Sequence, residues 1–216
     1  MTPNHHIDQE LLVAYTTGHL GQAVAVLVAT HLALCPVCRS LADEAEAVGG
    51  AMFEGEASEG VGSGVLDALL SRLDDDDREI APSPSPSAKP AVIPEPLRSF
   101  TGPFDQIPWA WRAPGIQTVE LDLKHGDLPV RLFRLAGGFV VPAHGHDGHE
   151  RGLVLTGGFT DDLGHFVRGD VSLRGPQLRH EARVDKGEPC VVLFVNDNLL
   201  VPRTLAGRVA APFIKI

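Results

Sequence analysis

The chain changes rhythm once. Up to about residue 75 the apolar positions recur at helical spacing; from Phe100 onward they come in short runs that Gly, Pro and Asp separate at hairpin intervals. Asp8 is placed to cap a helix whose apolar stripe is Leu11, Leu12 and Tyr15, and Gly18 is placed to stop it. Residues 20–34 are rich in Ala, Leu and Val and contain no proline, which predicts a helix buried on most sides. Pro36 breaks that helix and suits the first position of the next, expected to run from Val37 to about Val48 and to end at Gly49 and Gly50. Val65, Leu66, Leu69, Leu70 and Leu73 mark a short amphipathic helix that closes in an acidic run at 74–77. In the second half, residues 118–123, 130–135, 152–156, 171–173 and 191–195 read as strands of an antiparallel sandwich or barrel.

Between the two textures lies PSPSPSAKPAVIPEP, which supports neither helix nor ladder and reads as an extended linker. The predicted organisation is therefore α then β: a helical domain over 1–77, a linker over 78–98 and a β domain over 99–216.

Charge sharpens this division. Residues 1–80 carry 14 acidic and 3 basic side chains, and residues 81–216 carry 14 and 15, so the net charge of −10 resides in the helical half. A half of net −11 repels DNA and suits a basic protein partner. The three cysteines do not form a disulfide framework, and Cys35 and Cys38 beside a histidine read as metal ligands in a reducing compartment. The apolar run 23–29 is too short for a membrane span and no signal peptide is visible, so a soluble cytoplasmic protein is expected.

Two clusters ask for metal. His31, Cys35 and Cys38 form H-x3-C-x2-C, with His31 and Cys35 one helical turn apart and Cys38 in the first turn of the following helix, where thiolate is favoured over thiol. Three ligands leave a tetrahedral zinc one short, and His5 or His6 on the arm before the first helix can supply the fourth. In the second half, His144, His146, His149 and Glu150 fall within seven residues between apolar runs, donors suited to one divalent ion. Cys190 lies in a strand run and reads as a small buried hydrophobe.

At these residues the chain resembles two known families. An N-terminal histidine followed by H-x3-C-x2-C at a helix junction resembles the zinc-binding anti-sigma domain, and the resemblance places the zinc ligands on His6, His31, Cys35 and Cys38. Gly138-x5-His144-x-His146-x3-Glu150-x6-Gly157 resembles the first cupin motif. The register of the second motif holds from Gly169 to His180, although Gly175, Gln177 and Val184 replace the family's Pro, Gly and Asn. The implied cupin ligands are His144, His146, Glu150 and His180, for zinc or another divalent transition metal. Both halves in this order resemble the ChrR type of anti-sigma factor. That resemblance implies a regulator that binds and inhibits an extracytoplasmic-function sigma factor, with release under oxidative stress such as singlet oxygen sensed through the cupin. It implies no catalysis, no direct nucleic acid contact and no membrane. The competing reading is a metal-dependent cupin dioxygenase with an N-terminal regulatory domain; the short stretch between Gly157 and Gly169 leaves it little loop for a substrate pocket.

Overall fold

The structure, a computed structural model, describes residues 2–74, 91–123, 128–144, 148–176 and 180–197. They divide into two compact units, residues 1–46 with 92–216, and residues 47–91. The helices are α1 (Gln9–Thr16), α2 (Gln22–Leu34), α3 (Pro36–Glu54), α4 (Val65–Asp74) and α5 (Glu95–Thr101). The Asp8 carboxylate accepts the Leu11 amide at 2.7 Å and caps α1, and Pro36 opens α3, both as the sequence predicts.

Two local expectations fail for identifiable reasons. Gly49 and Gly50 do not end α3. Glycine in a helix interior costs about 1 kcal/mol but creates no clash, and neither residue takes the positive φ that stops the chain at Gly18. The expected extended linker contains α5 at its C-terminal end: Pro96 occupies the first turn, where its missing N–H costs nothing, and Leu97 is fully buried. Most of the Pro/Ser run lies outside the described residues.

Ten strands follow: β1 (Ala110–Ala113), β2 (Ile116–Leu121), β3 (Val130–Leu135), β4 (Val140–His144), β5 (Glu150–Thr156), β6 (Gly158–Asp161), β7 (Gly164–Val167), β8 (Val171–Arg174), β9 (His180–Val184) and β10 (Cys190–Asn196). They form an antiparallel sandwich of a six-stranded sheet, ordered β1-β2-β3-β10-β5-β8, and a four-stranded sheet, ordered β4-β9-β6-β7.

The central strands of the large sheet are buried on both faces. Along β10, Val191, Leu193 and Val195 join a core shared with Leu12, Val24, Leu27 and Val28 of the helices, while Cys190 and Val192 join the interior between the sheets. On β5, Leu153 and Leu155 face the helices and Val154 faces the interior. This two-sided burial explains why these strands read as continuous apolar runs. Helix α2 packs against both α5 and β10. At Gly157 the chain turns with φ of 65° at a point where a Cβ would lie 2.8 Å from the Pro189 carbonyl, so glycine is required there.

Residues 47–91 differ in character. Val48, Met52 and Phe53 at the end of α3, and Leu66, Leu69, Leu70 and Leu73 on α4, are all exposed.

Because α2 and the sheet share one core, Leu27→Ala is expected to destabilise the β-sandwich by about 3 kcal/mol. Urea unfolding followed by the fluorescence of Trp109, which packs against this core, checks it. An unchanged midpoint would mean that α2 and the sheet are energetically separate.

Candidate metal centres

The first centre forms where the N-terminal arm, the end of α2 and the start of α3 meet. His6, His31, Cys35 and Cys38 each offer a ligand atom, and these atoms lie within 4.8 Å of one another. The His6 Nδ1 is 3.3 Å from Cys35 Sγ and 3.6 Å from Cys38 Sγ. Cys35 and Cys38 are fully buried, and the Cys38 amide donates to Cys35 Sγ at 3.5 Å, a contact that favours a thiolate. His31 is also fully buried; its Nδ1 donates to the Gly169 carbonyl at 2.8 Å. That bond fixes the tautomer and leaves the Nε2 lone pair as the available ligand atom. Nε2 is buried and has no hydrogen-bond partner among the described residues. Burial lowers the His31 pKa to about 4, so the ring is neutral at pH 7 and ready to coordinate. Burial raises the Cys38 thiol to about 11, so binding a cation there exchanges it for a proton. Two sulfurs and two imidazole nitrogens at this separation fit a tetrahedral zinc.

His5, the other candidate on the arm, lies elsewhere. Its ring stacks on Phe166 at 4.1 Å, and its Nδ1 is 3.5 Å from an oxygen of Asp170.

The second centre is inside the β-sandwich. His144 ends β4, His180 opens β9 directly opposite, and Glu150 opens β5. The His144 and His180 rings are 4.3 Å apart, and His180 Nε2 is 3.8 Å from Glu150 Oε1. Ligand atoms of these three residues lie within 4.8 Å of one another. His144 Nδ1 donates to the Pro142 carbonyl at 2.9 Å, which turns Nε2 toward coordination as at His31. Burial lowers the His144 pKa and raises that of Glu150 to about 7. His146 lies outside the described residues. His149 bonds to Asp197 at 2.9 Å and His165 to Asp185 at 2.8 Å, so both are engaged away from the cluster. Cys190 is fully buried among the apolar side chains between the sheets, and burial raises its thiol to about 12.

The sequence reading missed Arg174. It pairs with Glu150 across β8 and β5, is almost fully buried, and its Nη2 bonds to Asp161 and, at 2.8 Å, to Asp162. A second acidic group, Asp161, Asp162 and His180, also gathers here, but both its carboxylates already bond to the Arg174 guanidinium. The signal was present in the alternation of β8: Val171 and Leu173 face the helices, which turns Ser172 and Arg174 inward. Glu150 and Arg174 also border a cleft of about 550 Å³ whose far wall includes Asp8, Leu11 and Ala14 of the α1 segment.

A helical His/Cys module built onto an antiparallel β-sandwich that carries a His/Glu centre defines the class, a cupin-like protein with an N-terminal helical module. Residues 98–200 match the family model of the ChrR cupin-like domain. Over 218 aligned residues, covering all of both chains, the sequence is 34% identical to the anti-sigma-E factor ChrR of Cereibacter sphaeroides. The crystal structure of Rhodobacter sphaeroides SigE in complex with the anti-sigma ChrR matches with a TM-score of 0.78 at 34% identity, covering 91% of this chain and 100% of that one. The chain therefore belongs to the ChrR family of anti-sigma factors.

The raised pKa of Glu150 has a direct test. Between about 4.5 and about 7 the folded carboxyl holds a proton that the unfolded one has lost, so its contribution to stability falls as pH rises through that window. In protein stripped of metal, Glu150→Gln should gain on the wild type by up to about 3 kcal/mol between pH 5 and pH 8. Urea titrations at the two pH values measure it; a difference independent of pH would mean that the carboxyl ionises freely.

Proposed function

We propose that this chain binds an extracytoplasmic-function sigma factor, holds it inactive in the cytoplasm, and releases it under oxidative stress, singlet oxygen being the leading stimulus. The observation that carries the reading is the full-length relationship to ChrR, a protein crystallised in complex with SigE. Two features of this chain support it independently. The exposed Met52, Phe53, Leu66, Leu69, Leu70 and Leu73 supply apolar surface of the kind that a protein partner covers. The net charge of −11 on residues 1–80 suits a partner whose own surface is basic for DNA. Inhibition on this reading is steric: the helices cover surfaces that the sigma factor needs for polymerase or promoter.

The two centres take different roles. His6, His31, Cys35 and Cys38 hold a structural zinc that keeps the arm, α2 and α3 in the binding arrangement. His144, Glu150, His180 and His146 hold zinc or another divalent transition metal in the cupin, where four protein ligands leave coordination positions open to an oxidant or its product. The chain acts on this reading as a regulator rather than a catalyst. A cytoplasmic location accords with the free thiols of Cys35 and Cys38 and with the fact that no single helix among the described residues is long and apolar enough to cross a membrane.

Cys35→Ser should abolish capture of the sigma factor in a co-expression pull-down. His144→Ala and Glu150→Ala should preserve capture yet block release after singlet oxygen. Capture by the Cys35 variant at wild-type yield would remove the structural role of the first centre. Normal release from both cupin variants would move sensing to the thiols.

A further inference from the structure

We propose that the β7–β8 turn of the cupin, Arg168-Gly169-Asp170, is a working part of the N-terminal metal centre: it orients two of the four ligands, so that centre reaches full affinity only when the turn holds the arm. The proposal rests on the zinc reading of that centre and adds positioning residues that no cluster of ligands reveals.

Three contacts carry it, each from one residue of the turn or its immediate neighbour. The Gly169 carbonyl accepts from His31 Nδ1 at 2.8 Å across 138 residues of sequence, and this bond sets which ring nitrogen of His31 faces the thiols. Asp170 is fully buried, and its carboxylate serves the arm that carries His6. One oxygen accepts the amides of Asn4 at 2.6 Å and His5 at 2.9 Å, while the other accepts the Val167 amide at 2.8 Å and so ties the same carboxylate to the turn. The Val171 amide then donates to the His5 carbonyl at 3.1 Å. The residue next along the arm is His6, 3.3 Å from Cys35 Sγ.

The close approach is built into the sequence. Gly169 takes φ of 92°, and a Cβ there would lie 2.7 Å from Pro3 Cγ, so the arm crosses the turn at the one place where no side chain stands. His6 itself is exposed and lies on an irregular segment. Its ring is brought to the thiols by the backbone to either side of it. On one side that backbone is held by Asp170; on the other, Ile7 is buried in the helix–sheet core. Besides the Asp170 bonds, residues 2–5 are held by the packing of buried Pro3 on the turn, the His5 stack on Phe166 and the bond to Val171.

The test uses the full chain loaded with cobalt(II), whose thiolate charge-transfer absorption reports the cysteine centre and not the His/Glu centre. Zinc affinity is then read by displacement of cobalt under chelator competition. Asp170→Ala removes all three amide bonds, and Asp170→Asn fills the same space while keeping one acceptor oxygen. Loss of an outer-shell bond to a ligand costs roughly 10–100-fold in affinity, and Asp170, which holds the backbone next to His6 rather than the ring itself, is set against the low end of that range. Asp170→Ala is expected to weaken zinc at this centre by about tenfold or more and to shift the cobalt d–d bands as one imidazole gives way to water. Asp170→Asn should fall between the variant and the wild type. Equal affinity and an unchanged cobalt spectrum in a folded Asp170→Ala protein would overturn the proposal while leaving the zinc reading intact. A wild type with no two-thiolate absorption would overturn the zinc reading itself and this proposal with it. Should Asp170→Ala fail to fold, Asp170→Asn decides on the same two readouts: wild-type values in both would overturn the proposal.

Discussion

The structure depends on a sheet whose central strands are wet on neither face. Strands β3, β10 and β5 give alternate side chains to a helix-facing core and to the interior between the sheets, and both layers are needed to keep those side chains from water. Helices α1 and α2 are for this reason part of the β-sandwich's own hydrophobic packing. The arm, α2 and the start of α3 are carried along with them, and the His6, His31, Cys35 and Cys38 cluster is positioned by packing that begins in the sheet.

Both candidate centres use one device, a backbone carbonyl that claims the Nδ1 proton of a histidine and leaves Nε2 for coordination. Gly169 does this for His31 and Pro142 for His144. Their electrostatic surroundings differ. The first centre gathers the neutral His31 imidazole and a Cys38 thiol that burial keeps protonated, so a cation entering it displaces a proton there. The second already contains the Arg174 guanidinium beside Glu150, with Asp161 and Asp162 balancing it. Charge is therefore already present in the cupin interior, with one guanidinium held between two carboxylates.

Much of this was legible in the chain. The cap at Asp8, the break at Pro36, the amphipathic α4 and five of the strands follow from local pattern, because each is decided by residues within a few positions of one another. The gathering of His31, Cys35 and Cys38, and of His144, Glu150 and His180, was legible because ligand chemistry demands particular residue types at particular spacings. What could not be read was anything decided between distant segments. Gly49 and Gly50 looked like a stop because glycine marks helix ends, but the helix needs only permissive φ to continue. The attachment of the arm to the β7–β8 turn joins residues more than 160 apart, and Asp170 beside Gly169 reads as an ordinary turn pair. Local pattern alone left His5 and His6 both open as the fourth ligand, and the family resemblance pointed to His6; the physical reason, that Phe166 and Asp170 take up His5, lies between distant segments. Arg174 is intermediate: the alternation of β8 pointed it inward, yet a charged residue near the end of a short strand is ordinarily solvated.

Strand β8 has one end at each centre. It begins beside Asp170, which ties the arm, and ends at Arg174, which is paired with Glu150; the strand spans only about 10 Å. The two halves of this chain are consequently poor candidates for free recombination. A different cupin grafted behind these helices would bring its own β8 and its own preceding turn, and the transplanted arm would meet a surface lacking both the glycine it crosses and the carboxylate that holds it. A graft that keeps this attachment would have to move the short strand and its preceding turn together with the helices.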